Sequence, residues 1–238
     1  MAEPFDTLMQ VQSHDTALDQ LRHRVETLPE RRELAGVRQQ LAALAVSTSE
    51  IQAQVDDLAG RQQKLEEQIA ASAKRRHDIE ERMRSGQVTA SRDLQAMDQE
   101  AQHLAARQAQ LEEEEILLLE EEEPLDSQLE QHRAGARGLA ADITRLEAVI
   151  AEAEAEIRSL IVAEEGKRAE LATGLPPDLA ERYEVLRAHL GGVGAARLVG
   201  DRCDGCHLTL SSVEIERIRQ LPAEEFATCA QCDRILVH

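Results

Sequence analysis

The chain has 238 residues, a net charge of −19 and almost no aromatic side chains: Phe5, Phe226 and Tyr183, with no Trp. Without those bulky anchors a large compact core is excluded, and no run approaches the roughly 20 apolar residues of a membrane span. Apolar content of 42% beside 31% charged residues is instead the mixture of Ala, Leu, Glu, Gln and Arg that long helices and coiled coils use. The negative charge favours solubility and opposes phosphate backbones at long range. Met1 to Gln10 contain no basic region followed by an apolar stretch, so the expected location is cytoplasmic, where structural disulfides are rare.

From Leu34 to Met83 the apolar positions step by alternating threes and fours: Leu34, Val37, Leu41, Leu44, Thr48, Ile51, Val55, Leu58 and on through Ile79. A second series runs from Leu94 through Ala101, Leu111, Leu118, Leu129, Leu146 and Ile157 to Leu160. A mean step of 3.5 residues keeps one stripe facing a partner helix, which is the coiled-coil condition. Upstream, Leu8, Val11, Leu18, Leu21, Val25 and Leu28 carry a looser stripe. Between the two long runs, Gly86 permits a left-handed turn and Ser91 can cap a new helix. The reading is a mainly α protein: an antiparallel coiled-coil hairpin over residues 1–173 with its tip near 85–91. Stripe positions mirrored about Val88 then face each other, Val55 opposite Leu118 or Glu122. The rival arrangement, a parallel dimer of one continuous helix, is disfavoured by Gly86. Pro29 and Pro124 predict kinks or breaks, and Gly135 and Gly138 weaken the second arm.

Charge is unevenly spread along these arms. Glu112–Glu115 and Glu120–Glu123 flank Ile116-Leu117-Leu118-Leu119. A solvated coiled-coil face is the simpler reading, and an acidic docking patch for a basic partner the functional one. Lys74, Arg75, Arg76, Arg82, Arg84 and Arg92 gather near the tip, and Arg22, Arg24, Arg31 and Arg32 near Pro29. Salt pairing across the arms accounts for them as well as a nucleic-acid contact does.

Residues 174–198 read as a connector. Pro177-Asp178 opens a short helix with Leu179, Tyr183, Leu186 and Leu190 as its apolar face, and Gly191-Gly192-Val193-Gly194 reads as a flexible hinge. A phosphate cradle there is disfavoured, because no Gly-Lys-Ser/Thr sequence follows.

The site chemistry lies in residues 199–238. Cys203-Asp204-Gly205-Cys206 and Cys229-Ala230-Gln231-Cys232 are two C-x-x-C pairs separated by 22 residues, and they use every cysteine in the chain. Each tight turn can aim two sulfurs at one ion, and two turns complete a tetrahedron, the pattern of a zinc ribbon with one structural Zn2+. Between them, Leu208 and Leu210 read as extended and Ser211–Glu214 as a capping box opening a short helix to Gln220. Ile235-Leu236-Val237 reads as a closing strand. So small a domain cannot fold on apolar burial alone, so metal binding and folding are expected to coincide. Three rivals fare worse. Cys203–His207 is formally the C-x-x-C-H haem-attachment pattern, but that leaves Cys229 and Cys232 unexplained. A dithiol redox centre lacks its strand–helix context, and His207 as a ligand in place of a cysteine would strain the turn.

The order of hairpin, connector and ribbon resembles a bacterial family of four-cysteine zinc-ribbon proteins with an N-terminal coiled-coil hairpin. The likeness rests on Val88-Thr89-Ala90-Ser91-Arg92-Asp93-Leu94-Gln95-Ala96-Met97 with Glu100, and on Leu175-Pro176-Pro177 through Tyr183. It extends over Cys203 to Leu210 and over Cys229-Ala230-Gln231-Cys232-Asp233-Arg234-Ile235-Leu236. The family usually has Gly where this chain has Asp233. The resemblance implies zinc on Cys203, Cys206, Cys229 and Cys232 and an adaptor role; members have been connected with the nitrogen-type alternative sigma factor and with RNA.

The expected function is therefore a non-enzymatic scaffold presenting a zinc ribbon to a protein partner, with the transcription machinery suggested by the resemblance. Nucleic-acid binding by the ribbon is the alternative. From Val199 to His238 only Arg202, Arg217, Arg219 and Arg234 are basic, against seven acidic residues, whereas phosphate neutralisation needs clustered Lys and Arg. No nucleophile–base set, open metal site or phosphate loop is present in the sequence, so no enzyme, small-molecule substrate or membrane partner is expected.

Overall fold

A computed structural model describes residues 3–222 and 225–237; the outermost residues of the expected hairpin and ribbon, 1–2 and 238, lie outside it. Three long helices come first: α1 (Glu3–Glu26), α2 (Pro29–Arg84) and α3 (Ser91–Ala172). They are followed by α4 (Pro177–His189), β1 (Ala195–Val199), β2 (Arg202–Cys203), α5 (Ser212–Arg219), β3 (Ala227–Thr228) and β4 (Ile235–Val237). Among the described residues no helix is long and apolar enough to cross a membrane. The chain divides into two compact units, Glu33–Arg145 and the remainder.

The Glu33–Arg145 unit is a helical hairpin. The predicted stripe positions of both arms within it are all buried or half-buried, polar ones such as Thr48 and Glu122 included. Ile51, Val55 and Leu129 form one buried cluster with Leu125 against it, and Thr48 meets His132 at 3.1 Å. Val55 therefore packs toward Leu125 and Leu129 rather than Leu118; these facing pairs centre two residues beyond Val88. The tip turns on Gly86 with φ of 69°. Ser91 is the first helical residue rather than the cap, and the Ala90 carbonyl accepts from the amides of Asp93 and Leu94, both at 3.1 Å. Pro29 breaks the helix and starts α2, a position where its missing N–H is no loss. Pro124 breaks nothing: it lies exposed inside α3, where water can satisfy the carbonyl that loses its partner.

In the other unit α1 lies against the end of α3 and against α4. Arg22 pairs with Glu165 at 3.1 Å, Arg31 with Glu154, and His14 with Glu164 at 2.5 Å. The basic group near Pro29 thus includes residues paired to α3, as Arg75 near the tip is paired to Glu100. The second stripe changes step here: Leu160 is 50% exposed, and Ile161 is half-buried in its place. Leu8 and Val11 of α1, Leu179, Tyr183 and Leu186 of α4, and Ala195 and Ile235 of the sheet make one core with Leu175.

The sheet runs β2-β1-β4-β3, with β1 parallel to β4 and the outer pairs antiparallel. β1 begins at Ala195, within the segment read as connector. The glycine run before it is no flexible hinge. A Cβ on Gly194 would lie 2.8 Å from the Tyr183 carbonyl oxygen and 2.9 Å from its ring. Gln12, buried on α1, donates to the Gly192 carbonyl at 3.0 Å and accepts from the amides of Gly194 and Ala195 at 2.8 and 3.2 Å. Its side chain occupies the amides that a phosphate cradle would use.

Candidate metal centre

The four cysteines come together. Their sulfurs all lie within 4.8 Å of one another, with Cys203 to Cys232 at 4.0 Å and Cys206 to Cys229 at 3.9 Å. A disulfide needs sulfurs about 2.05 Å apart; a tetrahedral ion with bonds of about 2.3 Å to sulfur needs them near 3.8 Å. The donor set fits such an ion. Cys203 and Cys229 are fully buried, and Cys206 and Cys232 half-buried.

The two turns that carry them are equivalent, position by position, with the numbering advanced by 26 (Cys203 to Cys229). In the first, the Cys203 amide donates to the Leu208 carbonyl at 3.1 Å and the His207 amide to the Cys203 carbonyl at 2.9 Å. In the second, the Cys229 amide donates to the Arg234 carbonyl at 2.9 Å and the Asp233 amide to the Cys229 carbonyl at 2.8 Å. Arg202 bridges Thr209 beside the first turn, and Thr228 pairs with Ile235 beside the second. His207 and Asp233 hold the same left-handed backbone, φ of 60° and 59°. Asp233 thus makes the turn for which the resembling family has Gly, as Asp tolerates this region better than most residues. His207 is an exposed turn residue and is not among the four converging donors.

The surroundings hold the turns in place. Asp204 accepts from the Arg197 amide of β1 at 2.6 Å. A Cβ on Gly205 would fall 2.7 Å from Arg234 Cδ and 2.9 Å from Ala196 Cβ, so the first turn sits directly on β1. Arg234 donates to the carbonyls of Val193 and Leu190 at 3.0 and 3.2 Å. Ser211 and Glu214 form the predicted capping box of α5, whose Ile218 is fully buried beside Cys203 and Cys229.

Burial pushes the Cys203 thiol up and takes Cys229 to about 12. For Cys232, burial acts in the same sense, but hydrogen bonds from the backbone and side chain of Arg234 draw it down to about 7. A cation at the centre would substitute for the thiol protons and stabilise the thiolates that burial alone disfavours.

A profile of the CT398-like coiled coil hairpin domain matches residues 11–191. The chain belongs to that family. This CT398-like chain is 29% identical over 231 residues to proteins of Mycobacterium tuberculosis strains H37Rv (Rv2229c) and CDC 1551 / Oshkosh (MT2288), both uncharacterized. The match covers 97% of this chain and 94% of theirs. A solved Mycobacterium smegmatis structure matches with a TM-score of 0.89 at 24% identity, covering 100% of this chain and 98% of that one. HP0958 of Helicobacter pylori follows with a TM-score of 0.53 at 18% identity, covering 98% and 95%. For CT398 of Chlamydia trachomatis the TM-score is 0.50 at 19% identity, covering 97% and 98%. These likenesses are of fold.

Sequence reasoning located all four cysteines and missed what seats them. Gln12 and Asp15 are buried polar residues of α1, and the one available signal was the gap in the looser stripe between Val11 and Leu18. Gly205 and Asp204 fill the spacer of the first C-x-x-C, where spacing alone does not distinguish a required glycine from a convenient one.

Proposed function

We propose that this CT398-like chain is a non-enzymatic adaptor. Its C-terminal region is a zinc ribbon, with one structural Zn2+ held by Cys203, Cys206, Cys229 and Cys232, and it meets a protein partner. The observation that carries this reading is the closed donor set: four sulfurs on two equivalent turns fill a tetrahedral shell, which leaves no position for an activated water. Zinc would cross-link the two turns, and the chain's own residues do the rest. Gly205 lets the first turn sit on β1, Arg234 ties the second to the end of α4, and Ile218 and Leu236 pack beneath the sulfurs.

A protein partner is favoured over nucleic acid. Val199, Leu208 and Val213 are exposed on this region. Of the four arginines considered for a basic face, Arg234 is turned onto backbone carbonyls and Arg202 donates to the His207 carbonyl at 2.8 Å. The resemblance of the sequence to sigma-factor-associated ribbon proteins makes a transcription component the partner class of choice, in the cytoplasm.

Elemental analysis of the freshly purified chain should give one zinc per chain. Cys203→Ser should lose it, with loss of the dispersed amide signals of residues 199–237 while far-UV helicity persists. Retention of those signals in metal-free protein would overturn the structural role. Labelled RNA and DNA, titrated at low salt, should not bind; salt-sensitive saturable binding would move the reading to nucleic acid.

A further inference from the structure

The acidic run on α3 contains a second stripe to one side of the seam with α2. Leu111, Leu118 and Leu125 turn toward α2 and are buried or half-buried. Glu112, Ile116, Leu119 and Glu123 follow one another at steps of four, three and four, which places them on one line roughly 100° around the helix from the buried seam. All four are exposed, Ile116 by 56% and Leu119 by 46%. A single exposed apolar residue is ordinary; two large ones aligned on a helix and closed at both ends by glutamate form a patterned surface.

The same run is poorly neutralised from within the chain. Among the described residues its one ion pair is Glu121 with Arg61, at 4.0 Å and well exposed on both sides. Glu112 accepts from Gln108 at 2.7 Å, which leaves its charge uncompensated. Lys64 lies nearby on α2 and beside Arg61. The other glutamates stand against one another, at a free-energy cost that added positive charge would relieve.

We infer that the line Glu112-Ile116-Leu119-Glu123 is a docking stripe for a basic amphipathic helix of a partner protein. The matching helix carries two apolar residues three apart, with Lys or Arg one turn beyond each. The apolar pair is removed from water, and the glutamates meet the flanking cations. The stripe reads alike in both directions, so parallel and antiparallel docking are both complementary. Charge decides the occupant. A second copy brings another −19, and nucleic acid and anionic lipid surfaces carry the same sign, so all three are repelled at long range. The stripe adds a contact surface beyond the proposed zinc ribbon and does not depend on the metal.

The test uses the intact chain and a fluorescein-labelled synthetic helical peptide with two leucines three apart and an arginine one turn beyond each. A second peptide carries glutamates in place of the arginines. Anisotropy should show saturable binding of the arginine peptide, weakened several-fold between about 50 and 300 mM salt. Ile116→Ser with Leu119→Ser should weaken it at least about tenfold with unchanged helicity, since both side chains are exposed. Glu112→Lys with Glu123→Lys should abolish it and confer binding of the glutamate peptide. Cys203→Ser should leave it intact, so loss of the zinc reading and loss of this one are separable. Absence of saturable binding, or binding indifferent to Ile116 and Leu119, would overturn the inference. So would a concentration-dependent dimer abolished by the same substitutions, which would make a second copy the occupant.

Discussion

The Tyr183 hydroxyl donates to Asp15 Oδ2 at 2.7 Å, joining α4 to α1 across 168 positions of sequence, and both residues are buried. Arg168 reaches the other oxygen of the same carboxylate at 3.3 Å, and Arg187 approaches Oδ2 at 3.5 Å. Arg187 also makes two contacts of 3.0 Å with Asp19. This polar centre sits beside the apolar core that contains Ile235, so the helical end and the cysteine region share one packed unit.

Tyr183 is the only tyrosine, so its titration can be read alone. Burial first, and then the bond to the Asp15 carboxylate, raise its phenol well above the ordinary value of 10.0. Unfolded chain loses this proton near 10 and folded chain keeps it, so above pH 10 the unfolded state binds fewer protons and stability falls as pH rises. Phenolate absorbance should therefore appear only together with loss of helicity. Phenolate near pH 10 in a fully helical protein would contradict the buried bond. Asp15→Ala should bring the titration toward 10 and destabilise this unit by about 3 kcal/mol, because two arginines lose a buried carboxylate.

At Asp233 the left-handed backbone sets the outcome of substitution. Asp233→Gly should be tolerated and retain metal at full stoichiometry. Asp233→Val should cost roughly 1–2 kcal/mol, since a β-branched side chain disfavours this region. Equal thermal midpoints for the two variants would argue against the turn geometry.

Gly205→Ala should be more damaging than its size suggests. The added methyl meets Ala196 Cβ at 2.9 Å on a sheet strand that cannot easily retreat. A loss of about 1–3 kcal/mol is expected, with weaker metal retention under a chelator. Wild-type retention would mean that the first turn stands off from β1.

Gly60 and Gly138 lie inside α2 and α3 with open space where a Cβ would stand. Alanine at either should stabilise the hairpin by about 0.5–1 kcal/mol, measured as a rise in the denaturant midpoint followed by far-UV circular dichroism.

Periodicity and spacing were sufficient for the hairpin, its tip, the capping box and the four converging sulfurs. Each depends on residues near in sequence or on a repeat that one partner helix must satisfy. Composition could not reveal that the glycines from 191 to 194 are packed, because a glycine needed for close approach and one serving a hinge look alike until Tyr183 and Gln12 are placed against them. Nor could it reveal the one-residue shift after Ile157 or the two-residue shift in facing pairs, since the register of an antiparallel pair follows from side-chain fit along its length. Asp15 reads locally as a lapse in an apolar stripe. Tertiary structure alone made it a buried anchor, by bringing Tyr183, Arg168 and Arg187 to it from the other end of the chain.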